Sequence, residues 1–598
     1  MDAPIYITGS GIISAIGNDK QAVLSSLFER RSGISQMRYL QSEHLELPVG
    51  EVKLSDAEMR KILCLSDDKP ANRTSLMGTI AMAEAISEAK VRDCLDKIVF
   101  ISGTTVGGMD YTERCFLEIQ ERDDHLSVLS THDCGSTSLL QAEYFGIPEK
   151  NTITISTACS SAANAIIVGA NLIKSGKADM VIAGGSEAIT KFHLNGFNSL
   201  MILDENRCRP FDATRKGLNL GEGAAYIILE SGESVRRRGV KPICELRGYG
   251  NSCDAYHQTA SSPEGDGAFL AMCGALDMSG LKVDEIQYIN AHGTGTPNND
   301  VSESAALRRM FGVKLPHVSS TKSFTGHTTS ASGAIEAVIC ILALQNQFIP
   351  SNIGWNKQMD DGITPTMGLN ECQIDNVMCN SFGFGGNDSS LIFSTFKGIV
   401  QQTPIHSLRP VYVKSICKYQ PQDESPNLKE FISPIEARRM CGLLKKALWT
   451  SMTALRDAGI KSPDGIFVGT KFGMLSNSEK FLSQMCHEGE HSLGPTLFMQ
   501  STHNTIAGML AIQTKSHGYN ITFSQGDRSF DCALRDAALQ IAMGNIDNAL
   551  VGSHDESTPV FSDLFRRLTG DEVQPGEYST SIVLSCDSTD SVREFTEF

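Results

Sequence analysis

Part of this chain occurs twice, and that repeat constrains its fold more than any other feature. Residues 151–187 read NTITISTACSSAANAIIVGANLIKSGKADMVIAGGSE, and residues 519–555 read YNITFSQGDRSFDCALRDAALQIAMGNIDNALVGSHD. Each segment has a short β-branched strand, a polar turn, a helix of about four turns and a second apolar strand ending in glycine. Gly176 and Gly544 stand where a helix needs a left-handed residue to stop. This order is a βαβ crossover, which joins parallel strands. VFISGTTVGGM (99–109) pairs with IFVGTKFGM (466–474), and GEGAAYIILES (221–231) with GEYSTSIVLSC (576–586), in the same order. The chain therefore reads as one long unit of about 395 residues followed by a shortened copy of that unit's first half. Alternating strands and helices throughout imply an α/β protein with layered helices and mixed sheets.

Its 598 residues correspond to roughly three to five structural units of 100–200 residues. With 41% hydrophobic and 20% charged residues the chain is expected to be globular. No run approaches the roughly 18 uninterrupted apolar residues of a membrane helix, so no membrane span is expected. The start MDAPIYITGSGIISAIG lacks a basic region ahead of its apolar residues and reads as a buried strand rather than a signal. A net charge of −17 argues against nucleic acid as a partner. Seventeen cysteines without a CxxC pair point to reduced thiols and a cytoplasmic location. Nothing in the sequence suggests a metal site.

Any one cysteine is core filler by default, but Cys159 is different. It falls where the strand TITIS stops and a helix of small residues (Ser160, Ser161, Ala162, Ala163) begins. A thiol there faces the positive end of the helix dipole, which favours thiolate. The same amides can stabilise the oxyanion of a thioester adduct.

Five further segments stand in fixed order around it. They are VGGM near 106–109, RPFDATRKGLNLGEGAA (209–225), NAHGTGTPNND (290–300), STKSFTGHTTSASGAIE (320–336) and NSFGFGGND (380–388). With TACSSA they resemble the β-ketoacyl synthases, the condensing enzymes of fatty-acid and polyketide assembly, over about residues 4–396. The resemblance implies a thiolase-like αβαβα fold over residues 1–397, with halves of about 1–240 and 241–397. A linker at 398–409 and a half-length synthase-like domain at 410–598 complete the expected organisation.

It also implies a chemistry. Cys159 takes an acyl group from a thioester, a malonyl thioester loses CO2, and the resulting enolate attacks the acyl carbon to give a 3-oxoacyl product. His292 and His327 are expected to stabilise the enolate oxygen. Lys322 is expected to orient the site, with Glu336 in the hydrogen-bond network behind it. Thr294 and Thr296 match hydroxyls that contact a pantetheine arm. Phe384 corresponds to a gate, whose amide completes an oxyanion hole with that of Cys159. Acyl-carrier protein is the implied partner and carries the phosphopantetheine, so no cofactor is bound permanently. Arg207, Arg209, Arg215 and Lys216 are candidates for docking that acidic carrier. A homodimer follows from the resemblance alone.

The copy has Asp527 in place of Cys159 and ends at Phe598 without a histidine half, so it cannot run this chemistry. His503, in PTLFMQSTHNTIAG, is expected to be structural. Docking, dimer-stabilising and chain-length roles remain open for the copy. The rival readings are a non-catalytic chain-length-factor-like partner, a thiolase and a scaffold. Cys159 argues against the first, the lack of an equivalent to the second catalytic cysteine that thiolases typically use against the second, and the intact first half against the third. Both the fused copy and the run TTSASG after His327, where housekeeping members more often have Leu-Gly-Ala-Ala, favour a specialised polyene or polyketide pathway over plain fatty-acid synthesis.

Overall fold

In the computed structural model, residues 5–368, 371–400 and 408–596 are described. The sequence repeat understates the architecture, because one five-stranded pattern occurs three times. In the first half, strand Ile5–Ser14 lies beside the last strand Gly223–Glu230, followed by Met180–Glu187, Val99–Gly103 and Thr152–Ile155. The second half repeats this with Cys244–Cys253, Asn387–Thr395, Asn376–Gly383, Tyr288–Asn290 and His317–Ser319. The copy does so with Val411–Tyr419, Gly576–Ser585, Asn548–Ser557, Gly465–Gly469 and Tyr519–Phe523. In each, the first two pairings are antiparallel and the last two parallel.

The first and second halves join through a short antiparallel pairing of Ile5–Ile7 with residues 244–246. Their central helices, Ser161–Lys174 and Ser332–Asn346, are buried along almost their whole length. Small residues permit the contact: a Cβ on Gly333 would sit 2.8 Å from the Ala163 backbone nitrogen. Around them Ile166, Ile335, Ile339 and Ile341 are fully or almost fully buried, each worth roughly 1.5–3 kcal/mol. Helices Arg73–Ala89 and Asp266–Ser279 cover the outer faces of the two sheets, completing the expected αβαβα layers. The apolar stretch Thr329–Asn346 is long enough to cross a membrane by composition, but it lies inside this core.

The copy docks through its third strand. Phe523 stands opposite Ile155 in an antiparallel bridge, flanked by Ser156 N–H to Thr522 O and Ser524 N–H to Thr154 O, both 2.9 Å. At its other edge the terminal strand Arg593–Phe595 covers Val411–Val413. That is where the second half covers Ile5–Ile7 in the first unit, so the copy caps itself without a second half. The expected linker at 398–409 lies mostly outside the described residues; Val400 and Arg409, on either side of the undescribed 401–407, are hydrogen-bonded to Tyr6 and Asp547.

Candidate active site

Cys159 sits in a 3-10 turn, Ala158–Ser160, that leads into helix Ser161–Lys174. Ala158 is held at φ +51°, a left-handed conformation that costs a non-glycine residue about 1 kcal/mol. The Ser161 hydroxyl accepts from Thr157 N–H and donates to Ala158 O, pinning the turn. The histidines arrive from the second half. His292 follows strand Tyr288–Asn290, and His327 precedes helix Ser332–Asn346.

The side chains converge at a cavity of 360 Å³ lined by Cys159, His292, His327, Thr294, Thr296 and Phe384. His327 Nε2 is 3.1 Å from Cys159 Sγ, and the two imidazoles meet edge to face at 5.3 Å. Lys322 Nζ lies 2.5 Å from Glu336 Oε1 and 3.4 Å from His292 Nδ1. A lysine amine donates to that nitrogen and leaves His292 Nε2 as the N–H able to point at substrate. Burial, reinforced by the Lys322 charge, holds both histidines well below the ordinary imidazole range, so both are neutral. Burial raises Glu336 to about 7 despite its lysine partner.

The expected thiolate is not the resting form. Cys159 stands at a helix start, yet burial pushes its thiol up to about 12, against the smaller opposing effects of Lys322 and the Phe384 amide. The dipole of one helix end does not offset removal from water. The thiol needs a proton acceptor as it attacks, and His327 Nε2 is in place.

Thr294 and Thr296 hydroxyls are 2.9 Å apart at the cavity wall. The Phe384 ring stacks on Phe197 with centroids 5.7 Å apart, and its amide reaches Cys159. The four basic residues separate into two pairs. Arg209 bonds Asp204 and Thr214 O, and Arg215 bonds Asp300, Asp212 O and Pro297 O, so both brace the loop. Arg207 and Lys216 are exposed, with Lys216 lining the cavity. His503 does not join the site: it packs 4.0 Å from Cys134 between the units, and burial lowers it to about 4. Asp527 is exposed and paired with Lys471 at 2.9 Å.

Three residues were not singled out from the sequence. Glu303 accepts from the backbone N–H groups of His292 and Gly293 at 2.9 and 2.7 Å and so shapes the histidine loop. Glu187 accepts from Thr104, Thr105 and Val106 and from the Thr329 hydroxyl, tying two loops together beneath the site. Ser332 Oγ lies 3.0 Å from His327 Nδ1. The departure TTSASG was a signal for Ser332, whereas acids on helices and strand ends carry none. All seventeen cysteines are free, and among the described residues no His/Cys/Asp/Glu group could hold a metal ion.

Comparison with known proteins agrees with this geometry. Residues 2–234 match the β-ketoacyl synthase N-terminal domain, 243–356 its C-terminal domain, and 414–590 a second N-terminal-type domain. A 3-oxoacyl-[acyl-carrier-protein] synthase 2 from Synechocystis sp. is 36% identical over 411 residues, covering 66% of this chain and 98% of that protein. The ishigamide ketosynthase/chain length factor structure is 31% identical with a TM-score of 0.61, over 66% of this chain and 100% of that one. The PfaC keto synthase–chain length factor matches 98% of this chain and 78% of its own at a TM-score of 0.81; at 15% identity it speaks to fold alone. The nucleophile turn, the two neutral histidines and the Lys322–Glu336 pair thus lie within matched domains, and the chain belongs to the β-ketoacyl synthase family.

Proposed function

We propose that this protein performs decarboxylative Claisen condensation of an acyl group on Cys159 with a malonyl group on acyl-carrier protein, giving 3-oxoacyl-carrier protein. The observation that carries this reading is the 3.1 Å approach of His327 Nε2 to Cys159 Sγ beside a neutral His292. In acylation the thiol proton moves to His327 Nε2 as sulfur attacks the thioester carbonyl. That proton then leaves with the departing pantetheine thiol. In condensation the malonyl carboxylate leaves as CO2, and the enolate oxygen accepts from His292 Nε2–H. The enolate carbon attacks the Cys159 thioester, the cysteine sulfur departs as thiolate, and a proton from solvent restores the resting thiol.

The phosphopantetheine arm arrives on the carrier and passes Thr294 and Thr296. Arg207 and Lys216, exposed at the mouth, receive the acidic carrier, and the enzyme works in the cytoplasm. An apolar cavity of 310 Å³ lies between helix Met109–Glu121 and the copy's helices Leu475–Glu488 and Pro559–Thr569. The fused copy and the run TTSASG after His327 favour a specialised polyene or polyketide pathway. The copy occupies the third-strand edge of the first unit through the Phe523–Ile155 bridge, and the homodimer that the resemblance implies is part of this reading.

Incubating the protein with acyl- and malonyl-carrier proteins and following products by mass spectrometry tests this. A 3-oxo product two carbons longer, lost in Cys159→Ala, is the expected result. Failure of Cys159 to acylate across a broad panel of acyl chains would sink the reading.

A further inference from the structure

The catalytic unit does not hold its own gate unaided. Asn504, at the start of the copy's helix Thr505–Thr514, donates through Nδ2 to Phe384 O at 2.8 Å and to Asn387 Oδ1 at 2.7 Å. Asn387 Nδ2 donates in turn to Asn520 Oδ1 at 2.8 Å, and Asn520 belongs to the copy's docking strand. The Asn520 N–H donates to Asn251 Oδ1, also at 2.8 Å. From Asn251 the path continues to Asn164 Oδ1 at 2.8 Å, and Asn164 Nδ2 donates to the Thr157 hydroxyl at 2.9 Å. Thr157 opens the turn that presents Cys159.

Hydrogen bonds therefore link five asparagines from the gate loop to the nucleophile turn, passing at one point through the Asn520 backbone N–H, and two of the five belong to the copy. Asn504, Asn387, Asn520 and Asn164 are each at most 1% exposed. Buried carboxamides leave a costly orphan if one member is removed, and a fully satisfied network rigidifies what it joins. The backbone is fitted to the contact. Gly385 has φ +81°, and a Cβ there would come within 2.9 Å of Asn504 Nδ2. A Cβ on Gly508 would meet Gly385 O at 2.8 Å.

We propose that the half-length copy is a positioning element of the condensing site, with Asn504 and Asn520 locking the Phe384 loop to the Cys159 turn across the interface between units. Neither residue touches the reacting atoms. They act by fixing the Phe384 amide where it meets the acyl thioester and by making gate movement a displacement against the copy. The proposal rests on the condensing reading above, and its test separates the two. If the parent protein fails to acylate, the reading fails; if the parent condenses and the variants below behave like it, only this proposal fails.

The test is Asn504→Leu in the full chain, with three readouts: Cys159 acylation by intact mass, 3-oxo product formed per CO2 released, and hydrogen exchange of residues 382–388. Acylation is expected within about threefold of the parent, while product per CO2 falls about tenfold because a misplaced acceptor lets the enolate be protonated instead. Exchange in 382–388 is expected to quicken about tenfold as the loop unlocks. Asn504→Gln, which keeps the donors, recovers part of the coupling. Arg567→Ala removes an exposed contact between the units, to Asp123 at 2.7 Å, and leaves coupling unchanged. If Asn504→Leu does not fold, Asn520→Ser breaks the same chain one link further on and is read in the same way. Unchanged coupling and unchanged loop exchange in the folded variant overturn the proposal, as does an equal loss of coupling in Arg567→Ala.

Discussion

The turn at Cys159 and the turn at Asp527 are the same piece of backbone put to different ends. Both are 3-10 turns feeding helices of 14 residues, and both are entered by a residue with ψ near +46° (Thr157 at 46°, Gln525 at 47°). Each then has one residue in the left-handed region: Ala158 at φ +51° and Gly526 at φ +56°. The difference lies around the turn. Cys159 is 5% exposed beneath Phe384 and faces two histidines, whereas the Asp527 side chain is 90% exposed and faces Lys471. Turn geometry is thus a property of the βαβ unit, while reactivity comes from a second half that covers the turn. The copy kept the turn, put glycine where the first unit holds a strained alanine, and spent its surface on docking.

This comparison breaks most sharply if activity follows the turn alone. Cys159→Ala is expected to lower product formation at least about 10³-fold, and Asp527→Cys in that background is expected to restore nothing. A measurable 3-oxo product from the double variant would show that the histidine half is dispensable.

The next effects concern the cover. His292→Ala and His327→Ala are each expected to cost about 10²–10³ in kcat, the usual loss for a donor or proton acceptor at a developing charge. His503→Ala, at the interface, is expected to leave kcat within about threefold of the parent. A collapse of kcat in His503→Ala with the fold intact would move that residue into the chemistry.

The docking surface supplies a stability test. Phe498 of the copy is 2% exposed, packs on Phe192, Phe197 and Phe481, and sits so close to Gly196 that a Cβ there would overlap its ring. Phe498→Ala is expected to destabilise the assembled chain by about 3–5 kcal/mol, read by denaturant titration. A loss under about 1 kcal/mol would mean that the two units hold together elsewhere.

Alkaline pH separates the units more gently. Burial raises the thiols of Cys159, Cys208 and Cys253 to about 12 in the first unit, and those of Cys441 and Cys532 in the copy to about 11. Because the folded values are raised, their stabilising effect is complete below the unfolded thiol pKa of about 8.5 and is lost as pH rises toward the folded values. Each group contributes up to about 1.4 kcal/mol per pH unit in that window. The apparent Tm should therefore fall between pH 9 and 11, with iodoacetamide labelling the buried cysteines of both units as it does. A Tm flat across that range would contradict the burial argument.

The smallest effect is the most local. Only Asp133 Oδ1, at 3.9 Å, lies near a Cβ placed on Gly526, so Gly526→Ala tests backbone strain without a clash. It should cost about 1 kcal/mol, as Ala158 does in the first unit.

Much of this was legible beforehand. Strand and helix periodicity and glycine punctuation located Cys159, His292 and His327, because local pattern and chemistry coincide at those positions, and the resemblance to the family added Lys322. The repeat between 151–187 and 519–555 was legible for the same reason. The third occurrence of the five-stranded pattern, in residues 244–395, was not: strand order depends on pairing between distant segments, and those segments share no motif with the first half.

The sequence by itself determined which residue types could do the chemistry and that the copy could not. Tertiary structure decided the protonation state of Cys159, because burial outweighs the helix dipole and burial is set by segments 133 to 225 residues away, at His292, His327 and Phe384. It also decided that Arg209 and Arg215 are ion-paired, since Asp204 and Asp300 meet them only in the folded chain. The asparagine path from Phe384 to Thr157 belongs to the same class. A carboxamide acquires a role only when a donor and an acceptor from different strands arrive within about 3 Å, and no spacing along the chain encodes that meeting.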